Sequence, residues 1–383
     1  MLHPFDVKAS DTIATIESNL LSIERKLTAD LAQPRFRARV ASGANAPDAS
    51  FREEWASIAL ASLDSRLCHE GTAVAWGIPD WEDSSADNSR LAAKLPYQPA
   101  GLYAIGSGLP ITTDSTPPVP LDPERVIQSI RDERFVLGRD GSSHRLVVEF
   151  DARVRTVPEL RSDPILARRK FRRWIVQERQ KLEINGNQRD QRIGDEGAAG
   201  CLADFLFELR MNGLQYAASA GHVRTLKLKK RSFPNRGAAV KWAKGFPQLA
   251  NYIEREYPRS GETYLIEAAV SDYGPGIVDG FLHSPRGKDW PDVDRRDLLR
   301  QLLLTPLSSN WSDPGAGYGI QDALKAASRL SAFVSLRTGE FWAYQDPSEP
   351  SVVDLSNCSD SPLAKVPGTH WQLVYPHAAS ISS

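Results

Sequence analysis

A glutamate and an asparagine four positions apart, Glu208 and Asn212, lie in a stretch from Leu202 to Ala218 whose apolar residues recur with helical periodicity. At i and i+4 the two side chains leave the same face of a helix about one turn apart. An amide oxygen is a hard ligand suited to Mg²⁺, and a carboxylate beside it can orient and deprotonate a water that attacks a phosphate. The same pair is also an ordinary surface pattern on helices, so it acquires meaning only in company.

Three further segments supply that company. Ser271-Asp272-Tyr273-Gly274-Pro275-Gly276-Ile277 follows directly on an apolar strand, Tyr264 to Val270. A carboxylate at a strand end can accept the exocyclic amine hydrogen of adenine, and flanking glycines let backbone approach a planar base. Taken alone the segment is a turn, since Asp, Gly and Pro all form turns. Gly315-Ala316-Gly317-Tyr318-Gly319-Ile320 opens a strong helix-forming run, Gln321 to Ala327. Backbone N–H groups at such a helix start make a nest for a phosphate chain. The pattern is neither a dinucleotide-binding fingerprint nor a P-loop, because it lacks the wider glycine spacing of the first and the Gly-Lys-Ser/Thr of the second. Pro367-Gly368-Thr369-His370 enters a last strand, where the Thr369 hydroxyl can join a water and Asp272 in holding a base.

In this order the four segments resemble the N, G1, G2 and G3 boxes of the GHKL superfamily, which includes gyrase, the ninety-kilodalton heat-shock chaperones, histidine kinases and MutL. Asn212-Gly-Leu-Gln-Tyr-Ala217 is similar to the Asn-Ala-x-Lys-Tyr stretch of histidine kinases, with Gly213 in place of the usual alanine. The resemblance covers about residues 193–376 and implies an ATP site of the Bergerat type. Under it Asn212 ligates Mg²⁺, Glu208 is the general base and Asp272 binds adenine, with Gly274 and Gly276 admitting the base and Ile277 beside them. Gly315, Gly317, Tyr318 and Gly319 line the phosphates, Thr369 completes the base pocket, and residues 278–314 correspond to a mobile lid. The distance from Asn212 to Asp272 implies an insertion around residues 229–259.

The activity implied is Mg-dependent ATP hydrolysis coupled to conformation or dimerisation. Two alternatives stay open. One is a protein serine/threonine kinase of the anti-sigma-factor type, in which Glu208 activates the hydroxyl of a separate partner. The other is a nucleotide switch without turnover. A phospho-accepting histidine is not expected, because His69-Glu70 is followed by Gly71-Thr72-Ala73-Val74 and not by a helical continuation.

The elements that must position these residues define an α/β chain in two units. Residues 141–383 form the nucleotide unit, a two-layer α/β sandwich with a mixed sheet and a helical lead-in over 155–190. Its strands are expected at 145–151, 223–228, 264–270, 332–336, 341–344 and 371–375. In the lead-in, Arg168, Arg169, Lys170, Arg172, Arg173, Arg179 and Lys181 alternate with Ile165, Leu166, Phe171, Trp174 and Ile175, an amphipathic pattern read as a solvated basic face on a packed helix. Residues 1–140 form an N-terminal mixed α/β unit without recognisable function. It has helices at 11–27, with Asp11 as N-cap, at 51–67 and at 122–134, a short strand at 71–78, and a Gly/Pro-rich loop over 106–123.

Composition sets the outer bounds. At 383 residues the chain exceeds one ordinary core, and 47 basic against 48 acidic residues argue against a surface wholly adapted to nucleic acid. A local nucleic-acid contact through the basic helix remains open. Cys68, Cys201 and Cys358 are too few and too scattered for a disulfide framework or zinc site. No apolar run is long enough to cross a bilayer, and the start of the chain lacks a signal-peptide pattern, so a cytoplasmic protein is expected. The partners expected are ATP and either a second copy of the chain or a separate protein.

Overall fold

The computed structural model describes residues 2–7, 11–29, 35–40, 52–67, 75–78, 103, 111–113, 144–150, 154–155, 164–181, 197–216, 223–258, 263–290, 292–305, 318–347 and 363–378. They form a mixed α/β protein with two sheets. The first has four parallel strands in sequence order, β1 (Leu2–Val7), β2 (Arg35–Val40), β3 (Ala75–Ile78) and β4 (Ile111–Thr113). The second has seven strands in the order β10-β9-β11-β8-β7-β5-β6. These are β5 (His144–Phe150), β6 (Val154–Arg155), β7 (Val223–Ser232), β8 (Thr263–Asp272), β9 (Phe333–Gly339), β10 (Phe341–Gln345) and β11 (Val366–Ala378). Every neighbouring pair in it is antiparallel, so the expected mixed sheet is corrected to an antiparallel one. The β5–β6, β7–β8 and β9–β10 connections join adjoining antiparallel strands, whereas β6 to β7, β8 to β9 and β10 to β11 each pass over one intervening strand.

One face of the large sheet carries the apolar core. Residues of even number on β7, β8 and β9 (Leu226, Leu228, Ile266, Ala268, Val270, Val334, Leu336) and of odd number on β11 (Trp371, Leu373) are buried there with three helices, as the two-residue period of a strand requires. The helices are α3 (Pro164–Lys181), α4 (Ala198–Tyr216) and, later in the chain, α9 (Gly319–Arg329). On α3, Ala167, Phe171 and Ile175 form a single buried stripe at four-residue spacing and the opposite side is exposed. Leu202, Phe205, Leu206 and Leu209 anchor α4, each buried side chain of this size contributing about 1.5–3 kcal/mol. On α9 the buried residues are Ala323, Ala326 and Ala327, small enough for its axis to lie close against α4.

The other face is covered by α1 (Ile13–Ala29), α2 (Arg52–Leu67), α5 (Arg236–Trp242) and α6 (Pro247–Glu256). Ile13, Ile16, Leu20 and Ile23 give α1 its buried stripe. Its cap is Thr12, whose hydroxyl accepts from the Thr15 N–H at 3.2 Å, and not the expected Asp11. Helices α5 and α6 are the structure of the expected insertion. Phe246, between them, packs on Phe333 and Trp342, and Trp342 in turn on Trp55 of α2. Helix α2 rests on β11 and also touches β2, which joins the N-terminal elements to the large sheet.

This second face is ionic as well as aromatic. Lys227 of β7 donates to Glu54 of α2 at 2.5 Å and to Glu267 of β8 at 2.7 Å, and Arg231 closes on the other Glu267 oxygen. Burial alone would raise the Glu267 carboxyl, but Arg231, Lys227 and Lys229 outweigh it and hold the pKa near 2. Arg337 of β9, fully buried, pairs with Glu17 of α1 at 2.7 Å, and Glu17 also accepts from the Trp55 indole at 2.9 Å. The expected helix at 122–134 lies outside the described residues. Strands β1 and β2 were not expected, and β4 occupies part of the segment read as an irregular loop. Among the described residues no helix is long and apolar enough to cross a membrane.

Candidate functional site

The close packing of α9 on α4 brings the first helix residue of one against the predicted pair on the other. A Cβ added at Gly319 would stand 3.0 Å from Asn212 Oδ1, 3.2 Å from Asn212 Nδ2 and 3.3 Å from Glu208 Oε2. The amide oxygen, one carboxylate oxygen and the N-terminus of an eleven-residue helix therefore meet at one point. That point combines a hard oxygen donor, a base and unpaired backbone N–H groups. Gly315 and Gly317 lie outside the described residues. Tyr318 immediately precedes the helix, with its side chain exposed.

One residue past Asn212, Gly213 faces Asp272. A Cβ there would be 3.7 Å from Asp272 Cβ and 3.8 Å from its Oδ2, so the alanine usual in the resembling families would still fit in van der Waals contact. Asp272 ends β8 opposite Arg224 of β7 and Thr369 of β11. Its Oδ1 accepts from the Gly274 N–H at 3.1 Å, an Asx-type turn that starts the loop. Burial pushes its carboxyl up to about 6, against the opposing pull of the Gly274 and Thr369 backbone N–H groups and the Arg224 charge. It is thus poised to change protonation near neutral pH. The Arg224 Nε also donates to the Gly213 carbonyl at 3.2 Å, tying strand to helix end. A cavity of about 10 Å³ between Gly213, Arg224, Thr225, Ser271 and Asp272 is the size of one water and too small for a nucleobase.

The loop after Asp272 is held by a residue that sequence reasoning did not single out. Thr338 of β9 accepts from the Ile277 N–H at 3.1 Å and donates to the Gly368 carbonyl at 3.0 Å, stitching the loop to the Gly-Thr step. Gly276 has a φ of +82°, and a Cβ on it would come within 2.9 Å of the Thr338 hydroxyl. Its missing side chain accommodates protein, a different role from the expected admission of a base. Gly368, at φ +85°, passes so close to Asp272 that a Cβ would fall 1.9 Å from the Asp272 carbonyl oxygen. Both positions demand glycine. The Thr369 contact recorded on Asp272 comes from its backbone N–H, whereas a hydroxyl contact was expected.

Behind the site, Tyr273 turns to the opposite face. Its hydroxyl shares a 2.7 Å hydrogen bond with Ser57 of α2, and its ring packs against Tyr103 and the buried His370. Burial drives the His370 pKa down to about 3, so the ring is neutral at physiological pH. The basic helix also reaches the site. Arg168 forms an ion pair with Glu208 and lies over the Phe207 ring, and one turn further along Arg172 grips Asp204 at 2.9 and 2.5 Å. Part of the expected solvated basic face is therefore a pair of rungs between α3 and α4. The first part of the expected lid is built into the core through α7 (Ile277–Leu282) and α8 (Arg295–Leu304), where Leu298, Leu299, Leu302 and Leu303 are buried. Arg295 fastens α8 to Asp279 at 2.8 Å and to Glu340. His69 and residues 306–317 lie outside the described residues.

Neither the sequence position nor the type of Arg224, Thr338 or Arg168 signals a place in the site. Each is brought there by strand register or helix packing alone. Comparison of the chain with protein-family models, curated proteins and solved structures yields no match.

Proposed function

We propose that this chain binds Mg-ATP in a GHKL-type site between α4, α9 and the loop after β8, and hydrolyses it. The observation that carries the reading is the convergence of Asn212, Glu208 and Gly319 within 3.0–3.3 Å of one point, with Asp272 reached one residue further along at Gly213. Three sequence segments spread from Glu208 to Gly319 have no evident packing reason to share such polar chemistry, whereas a nucleotide needs all of it.

The residues fit the ligand. A side chain on Gly319 would fill the space in front of Asn212, so glycine leaves a cradle where phosphate oxygens can approach the helix start. The Asn212 amide oxygen would hold Mg²⁺, which when bound supplies charge neutralisation for the phosphates. Glu208 directs Oε2 toward the same cradle and accepts the proton of a water there. Asp272, as a carboxylate, accepts from the adenine amine, with the base lying beside the small cavity and not within it. Tyr273, next in the chain, passes the position of the Asp272 loop to α2 through Ser57, which couples nucleotide occupancy to the N-terminal elements.

Isothermal titration with Mg-ADP and Mg-ATP tests the binding, and phosphate release tests the turnover. Wild-type protein is expected to take up one nucleotide per chain. Glu208→Ala should keep uptake and lose phosphate release by at least about a hundredfold, the scale of general-base catalysis. No uptake by the wild type would overturn the proposal, and label moving from γ-labelled ATP onto a protein would replace hydrolysis by phosphotransfer.

A further inference from the structure

The two carboxylate oxygens of Glu208 have different neighbours. Oε2 faces the Gly319 cradle, while Oε1 is held by the Arg168 guanidinium. The carboxylate is largely buried, with 13% of the side chain exposed, whereas Arg168 keeps 39% exposed and its guanidinium carbon lies 5.3 Å from the Phe207 ring centroid. A carboxylate oxygen so paired is not open to a water, because the cation occupies it. A polyphosphate entering the cradle would bring further negative charge against Glu208 and within reach of the same guanidinium. Guanidinium binds phosphate bidentately and accommodates a rotation about its flexible stem. The second rung, Arg172 on Asp204, sits a helical turn away and has two fixed hydrogen bonds, so it holds α3 in place while Arg168 moves.

We propose that Arg168 is a latch on the candidate base. Before nucleotide arrives it occupies Glu208, and the terminal phosphate of a nucleoside triphosphate then draws it away, which frees the carboxylate when a triphosphate is present. The inference rests on the nucleotide reading of the site and specifies how that site distinguishes triphosphate from diphosphate.

The test measures dissociation constants for Mg-ATP and Mg-ADP, with N-methylanthraniloyl nucleotides, in wild type, Arg168→Gln, Arg168→Lys and Arg172→Ala. A charge-assisted hydrogen bond corresponds to about tenfold to a hundredfold in affinity. Arg168→Gln is expected to lose that much ATP affinity with ADP affinity unchanged, Arg168→Lys to recover part of it, and Arg172→Ala to leave the ATP-to-ADP ratio as in wild type. Unaltered ADP binding serves as the check that the variant folds. An unchanged ratio in Arg168→Gln, or equal losses for both nucleotides, overturns the latch while leaving the nucleotide site standing. Failure of the wild type to bind either nucleotide overturns the site itself, and the latch with it.

Discussion

Replacing Gly319 by alanine separates a role in ligand binding from a role in packing. Alanine in a helix is favoured over glycine by about 0.4–1 kcal/mol, mostly through the unfolded chain. Gly319 has no left-handed backbone to lose in the exchange, because its φ lies outside the range that L residues avoid. The added methyl would stand 3.0–3.3 Å from the ends of the Asn212 and Glu208 side chains, and a shift of a few tenths of an ångström relieves that contact. Such a displacement in two flexible side chains costs about 0.5–1.5 kcal/mol, so the gain and the cost nearly cancel. Gly319→Ala is therefore expected to change unfolding free energy by no more than about 1 kcal/mol in urea denaturation. On the proposed nucleotide placement, the same methyl occupies the approach of phosphate to the helix start and pushes the Asn212 oxygen aside. Loss of one metal contact and of close N–H contact is expected to weaken Mg-ADP binding by about tenfold or more, or 1.4 kcal/mol. Full-strength binding in a stable Gly319→Ala protein would refute the placement of the phosphates. A loss of stability above about 3 kcal/mol would show that the glycine serves packing.

Three other outcomes follow from the geometry. Asp272 has its folded pKa raised to about 6, so the carboxylate proposed to accept from the base is lost as pH falls through 6; nucleotide affinity should drop about tenfold per pH unit below that point, and a flat titration profile from pH 7 to 5 would exclude Asp272 as acceptor. Lys227→Met strips the cation from Glu54 and one cation from Glu267 inside the protein, for which a loss of about 3–5 kcal/mol is expected. Glu267 has a lowered folded pKa, so its contribution to wild-type stability is present above the ordinary carboxylate range and disappears as pH falls from about 4.5 toward 2, measurable as an acid-unfolding midpoint that moves upward in the variant. Gly368→Ala drives a methyl into the Asp272 carbonyl at a positive φ, and should cost about 2–4 kcal/mol in chemical denaturation while displacing the Asp272 loop.

What the residues announced beforehand was local. The Leu202–Ala218 periodicity, the apolar run before Asp272 and the helix-forming run after Gly319 each depend on neighbours within two turns or one strand, and α4, β8 and α9 stand there with shifted ends. Strand β7 shows what lay beyond that reach. Its alternation of Leu226 and Leu228 with Thr225, Lys227 and Lys229 reads as one buried and one wet face, yet the charged face is buried beneath α2 and meets its counter-charges on segments up to 173 residues away. Arg337 and Glu17 are 320 residues apart, and nothing in the surroundings of either names the other. The same holds for Arg168, whose basic neighbours suggested solvent while its partner lay 40 positions along the chain. Long-range charge pairing has no period, so it leaves no local trace.

The position of β11 has a consequence for how the protein is made. This strand lies between β8 and β9, yet it is the last of the described strands in the chain. Until Val366–Ala378 has left the ribosome, β8 and β9 each expose an unpaired edge, and α2 lacks the strand it packs on. Two open edges of this kind are templates for association between nascent chains. A stop codon shortly before position 366 should therefore yield aggregated protein instead of a shorter working one.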